Sequence, residues 1–225
     1  MIEWLTTQIK LLFEILVYLL PAIPAAIEIT VFSFALALGL GIIAGTIRVA
    51  NVRLISGLAR LYVDVIRGVP LLVLIFFIYF GLGKYLNLDR LTAAVLALGV
   101  CYGAYVAEIF RAGILSIPKG QFEAALALGM TRREAFRHVI IPQALRMVIP
   151  PVANEFIACL KDSSLVSIIG MREITRAGRE YFSAHFVDFQ VWLVVAALYL
   201  IMTLTLARLV SLIERRFKLR GYGVG

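Results

Sequence analysis

The chain has 225 residues, is 62% hydrophobic, and carries 22 Lys and Arg against 14 Asp and Glu. Apolar runs long enough to cross a bilayer recur along it, so it reads as an integral membrane protein, and the net charge of +8 reflects loop topology better than nucleic-acid binding. No Gly-x-x-x-x-Gly-Lys-Ser/Thr loop occurs, so no ATPase core is expected; with no His-x-x-x-His or Cys-x-x-Cys pair, neither is a metal site or cofactor.

In chain order, residues 2–20 are not a cleavable leader, because Glu3, Lys10 and Glu14 interrupt the apolar run. They read as an amphipathic helix on the outer surface, with Pro21 and Pro24 turning the chain inward, or alternatively as a sixth span. Five spans follow, near 23–47, 58–82, 91–112, 143–160 and 189–212, each long enough for about 30 Å of hydrocarbon. Glu28 in the first span is a weak candidate for solute contact. In the second, Arg60, Asp64 and Arg67 share a helical face, so Asp64 could pair with either arginine. Gly68-Val69-Pro70 then breaks that helix, since proline lacks a donor and biases its predecessor away from helix. Gly68 and Pro70 are thus either a plain kink or a gate hinge. Cys101 and Cys159 lie within predicted spans and read as packing residues.

The loop 113–142 is a polar island. Glu123 to Leu128 are strong helix formers, Gly129 suits a left-handed cap, and Thr131 with Glu134 makes a capping box for a second helix. The fourth span begins at or is kinked by Pro150-Pro151 and carries Asn154, Ala158 and Asp162 on one stripe with Glu155 beside it. Carboxylates are costly within a membrane and face a cavity or a partner. Asn154, Glu155, Asp162, Ser163 and Ser164 are therefore candidate substrate ligands, offering acceptors to an ammonium and donors to a carboxylate. The other reading is that the two carboxylates pair with arginines of neighbouring helices. In 161–188, Lys161, Arg172, Arg176 and Arg179 balance Asp162, Glu173, Glu180 and Asp188, which suits ion pairs or a docking surface, and Gly170 and Gly178 allow tight turns. If the N-terminus is outside, the cytoplasmic side receives Arg48, Arg53, Arg60, Arg67, Arg111, Lys119, Arg132, Arg133, Arg137, Arg146, Arg208, Arg215, Arg216, Lys218 and Arg220. These are 15 of the 22 basic residues, which favours N-outside and C-cytoplasmic.

Glu123-Ala124-Ala125, Gly129 and, nine residues further, Val139-Ile140-Ile141-Pro142 resemble the EAA loop of permease subunits of ATP-binding-cassette (ABC) importers. Val139 and Ile141 replace the usual Ile and Leu. Tyr62 to Leu72 and Lys161 to Leu165 resemble the polar amino acid branch of that family. The resemblance covers most of residues 22–218. It implies an all-α integral membrane protein of about five transmembrane helices, with an amphipathic N-terminal helix and a cytoplasmic coupling helix, forming one permease domain in a bacterial inner membrane. It further implies that Glu123, Ala124, Ala125 and Gly129 couple to an ATP-binding subunit dimer. A second permease subunit, identical or paralogous, and an extracytoplasmic substrate-binding protein complete the importer. The chain itself performs no catalysis. An ion-coupled secondary transporter using Glu28, Glu155 and Asp162 as a relay is the alternative, weakened by the absence of visible inverted repeats.

Overall fold

The computed structural model describes residues 1–50 and 53–217, and all regular structure among them is helical. Helix α1 (Ile2–Leu19) passes through a 3-10 turn (Leu20–Ala22) into α2 (Ile23–Ala50). The prolines do not turn the chain as expected: Glu3–Ala50 is one helical segment of 48 residues. Pro21 and Pro24 each fall at the second position of an element, where a missing N–H costs nothing. At 1.5 Å per residue this segment spans about 70 Å, so part of it extends beyond any hydrocarbon core. Its first half does not lie free. Ile15 and Leu19 pack against Ile174, Tyr181, Val191 and Leu198 of the two last helices, and Gln190 Nε2 donates to Gln8 Oε1 at 2.9 Å.

Helix α3 (Arg53–Gly68) ends at the expected break. Pro70 is extended and caps α4 (Leu71–Phe76), which continues through a π turn (Phe77–Leu82) into α5 (Gly83–Leu86). The two arms, Arg53–Gly68 and Leu71–Leu86, meet at 106°, far sharper than a kink within one straight span. Helix α6 (Arg90–Leu115) starts at Asp89, whose carboxylate accepts from Thr92 N, and forms the centre of the bundle. It packs on α2 through small residues: a Cβ added at Gly99 would fall 2.6 Å from Leu36, and one at Gly45 would fall 2.8 Å from the Ala107 carbonyl. Small residues at such spacing let membrane helices approach closely. Leu36 faces Gly99, Leu40 faces Gly103, and Gly45 faces Ala107 and Phe110, so α2 and α6 run parallel. The chain must therefore return from one end of the bundle to the other between them. The bent α3–α4 pair makes that return, with Ser56 bonded to Ile47 O and Tyr62 to Val100 O.

Helices α7 (Lys119–Ala127) and α8 (Arg132–Ala135) form the loop, and a π turn (Phe136–Ile140) leads into α9 (Ile141–Asp162). Helix α9 runs antiparallel to α6: Val148 packs on Gly113, and Asp162 reaches Tyr102. Pro150 and Pro151 sit inside it. A 3-10 helix (Ser163–Ile169), α10 (Ile174–His185) and α11 (Asp188–Phe217) complete the fold. Among the described residues three segments are long and apolar enough to cross a membrane, Glu3–Ala50, Arg90–Leu115 and Asp188–Leu212, and the bent pair qualifies jointly. Helix α9 has the length but carries Arg146, Glu155, Lys161 and Asp162, and it packs against α2, α6 and α11. Gly178 makes no turn. It lies buried inside α10, where an added Cβ would be 2.7 Å from Val195, whereas Gly170, at φ +82°, does end the 3-10 helix. Cys101 and Cys159 are both buried free thiols in the main core, as expected of packing residues. Lys218 and Arg220 lie outside the described residues.

Candidate functional site

Two polar regions stand out on this apolar bundle. The first is the α7–α8 tip. Leu128 N bonds to Ala124 O at 3.1 Å and Met130 N to Ala125 O at 3.2 Å, closing α7 around Gly129, whose φ of +85° favours glycine. The capping box then starts α8: Thr131 N and Oγ1 both donate to Glu134 Oε2 at 2.8 Å, and Glu134 N donates to Thr131 Oγ1 at 3.3 Å. The Thr131 backbone and hydroxyl bonds hold the Glu134 carboxyl below its ordinary pKa. Glu123, Ala124 and Gly129 are exposed, Leu128 is 82% exposed, and nothing lies within 4 Å of a Cβ built on Gly129. Ala125 differs from its neighbours: it is buried within the chain and is not part of the exposed surface.

The second region joins α3, α6 and α9. Tyr102 Oη donates to Asp162 Oδ2 at 2.8 Å. Tyr105 lies 6.2 Å from Tyr102 between ring centroids, and the Arg67 guanidinium sits over the Tyr105 ring at 5.2 Å. Glu155 is within electrostatic reach of both Arg67 and Asp162. Glu155 and Asp162 are half-buried on α9, and Arg67 is exposed at the end of α3 on the same side. Of the two arginines that share a face with Asp64, Arg67 lies over the Tyr105 ring, and Asp64 is exposed on α3. Ser163 is buried and its hydroxyl donates to Leu160 O. Asn154 is exposed, Ser164 is half-buried, and Glu28 is exposed on α2. A separate cavity of about 270 Å³ between α2, α9 and α11 is walled by Ile27, Val31, Phe156, Leu160 and Ile201, and offers no charge to a zwitterion.

Tyr102 and Tyr105 were not singled out from sequence, and neither was Glu108, which accepts from Arg48 Nη1 at 2.6 Å and is also bridged by Arg111. A signal was present: Tyr102, Tyr105, Glu108 and Arg111 recur every three residues along an otherwise apolar helix. In the 161–188 segment, Arg172 and Arg176 both pair with Glu180. Glu173 is fully buried as the cap of α10, accepting from Thr175 N, Arg176 N and the Tyr199 hydroxyl, and burial pushes its carboxyl up from the ordinary pKa.

Residues 37–219 match the family described as binding-protein-dependent transport system inner membrane component. The glutamine transport system permease protein GlnP of Escherichia coli K12 is 42% identical over 209 residues, covering 88% of this chain and 95% of that protein. The octopine transport system permease protein OccM of Rhizobium radiobacter is 38% identical over 213 residues, covering 90% and 87%. A crystal structure of an amino acid ABC transporter with histidines superposes with a TM-score of 0.85 at 38% identity, covering 94% of this chain and 97% of that one.

Proposed function

We propose that this chain, which belongs to the binding-protein-dependent transport system inner membrane components, is the permease subunit of an ATP-driven importer of polar amino acids. The observation that carries the reading is the α7–α8 tip. An exposed Leu128 and an open Gly129, held rigid by local caps at the end of an apolar bundle, form a small protruding surface made to enter a partner's groove. The partner is an ATP-binding subunit dimer, which supplies the hydrolysis. A second permease subunit, a copy or a paralogue, pairs with this chain, and an extracytoplasmic binding protein delivers the solute.

The reading includes five crossings: α2, the broken α3–α4 pair, α6, α9 with its 3-10 extension, and α11. An odd number puts the termini on opposite sides, with the N-terminus outside and the α7–α8 tip in the cytoplasm. Asp162 and Glu155 serve the solute's ammonium, Arg67 serves its carboxylate, and Tyr102 orients Asp162; Asn154 and Ser164 lie along the approach. Gly68 and Pro70, at the 106° bend, are the hinge that moves Arg67 relative to α9. Relatives named for glutamine and for octopine share this body, so selectivity among solutes is set by side chains around that cluster rather than by the fold.

The test is reconstitution of the chain with its ATP-binding subunit and binding protein, carrying a single cysteine at Lys119. Uptake of a panel of amino acids is expected only when ATP is supplied on the side where that cysteine reacts with an impermeant thiol reagent. Uptake driven by an ion gradient without ATP would overturn the reading, and labelling on the opposite side to ATP would reverse the orientation.

A further inference from the structure

We propose that the cavity at the ends of α2, α3 and α6 is a binding site for a phosphate-bearing anion. It measures about 460 Å³ and is lined by Arg48, Val49, Arg60, Arg111 and Leu115. Arg48 and Arg111 share one carboxylate, Glu108, so that trio keeps an excess of positive charge, and Arg60 adds a third guanidinium to the lining. The Arg48 side chain is only 10% exposed, and its Nε is buried with no acceptor among the described residues. A buried guanidinium N–H without an acceptor is uncommon even when another nitrogen of the group is paired, and it points to an acceptor supplied from outside the chain. Guanidinium forks match the tetrahedral oxygens of a phosphate, and three of them converging on one cavity favour an anion over a cation or a neutral solute.

The site is distinct from the Asp162 cluster, since Arg111 lies nine residues beyond Tyr102 on α6, about 13 Å along the helix. It sits at the end of α2 and α6 that leads into α7, where the chain passes from apolar helix to polar loop. Basic pockets between helices at such a boundary take the head groups of anionic lipids. Val49 and Leu115 give the cavity apolar walls, which suit an ester-linked phosphate. The shared chemistry is a phosphate, from either an anionic phospholipid or the aqueous phase, and the site does not depend on which solute is transported.

The purified full-length chain in detergent is titrated with phosphatidylglycerol, with phosphatidylcholine of the same acyl chains, or with sodium phosphate against a sodium chloride control. Binding is read by native mass spectrometry and by thermal unfolding. Phosphatidylglycerol is expected to bind at least about tenfold more tightly than phosphatidylcholine, a preference that Arg60→Gln and Arg111→Gln each reduce by about tenfold and that Arg60→Lys retains. Protection by millimolar phosphate, without a preference for phosphatidylglycerol, assigns the site to the soluble ion. Arg60 is exposed on α3, so Arg60→Gln decides the matter even if Arg111→Gln fails to fold. The proposal is overturned if neither phosphate source binds better than its control, or if binding is indifferent to Arg60→Gln.

Discussion

The α7–α8 tip and the α6–α9 contact are both polar islands on an apolar protein, but they are built at opposite ranges. At the tip, every cap closes within three to five residues: Met130 to Ala125, Thr131 to Glu134, and Gly129 in a left-handed turn. In the bundle, Tyr102 meets Asp162 and Arg48 meets Glu108 across 60 residues each. The difference has a physical cause. A surface loop has water to satisfy whatever its neighbours do not, so local caps suffice and the outer face stays free for a partner. A carboxylate inside an apolar bundle has no water to rely on, and its partner must come from another helix.

The largest expected effect comes from breaking the long-range side. Glu108→Ala leaves the mostly buried Arg48 without its carboxylate and should cost about 3 kcal/mol, seen as a lowered thermal unfolding midpoint of the purified chain. Unchanged unfolding would mean that the ion pair is incidental to the α2–α6 packing. Next is the tip. Ala124→Arg adds bulk and charge to an exposed contact and should weaken retention of the ATP-binding subunit by roughly thirtyfold, a loss of about 2 kcal/mol, while thermal unfolding of the chain alone stays unchanged; Gly129→Asp should weaken it too, but also strains the left-handed turn. Ala125→Arg makes a poorer probe, because Ala125 is packed inside the chain and the variant disturbs the loop itself.

Asp162→Asn removes a charge-assisted contact and should lower apparent solute affinity in uptake by about tenfold, with basal ATP turnover and assembly kept. Normal uptake by this variant would make Asp162 a structural partner of Tyr102 only. The smallest effect tests how local the tip is. Thr131→Ala removes the cap and should speed amide exchange in the first turn of α8 about fivefold, with no change in α9. The wild type should show the same fraying in acid. The Glu134 carboxyl titrates below its unfolded value, so its contribution is complete at neutral pH and fades as pH falls through that lowered range. Protection factors in α8, corrected for the intrinsic pH dependence of exchange, that stay unchanged through the whole titration of that carboxyl would contradict this.

The sequence by itself determined whatever is decided within a few residues. The Gly129 turn, the Thr131–Glu134 box, the break at Gly68–Pro70 and the apolar helices all follow from propensity, missing donors and length. The presence of the costly carboxylates Glu155 and Asp162 was legible for the same reason: charge in an apolar run is visible without knowing its partner. Only the tertiary structure decided the partners. It gave Asp162 a tyrosine rather than an arginine, set Arg67 over the Tyr105 ring, and left Arg48 to Glu108. It also turned Gly178 from an expected turn into a packing contact and carried the helix straight through Pro21 and Pro24. Periodicity records which side chains share a face of one helix. Which helix lies opposite depends on the close approach of α2 and α6 through Gly45 and Gly99, and that approach depends on the whole chain at once.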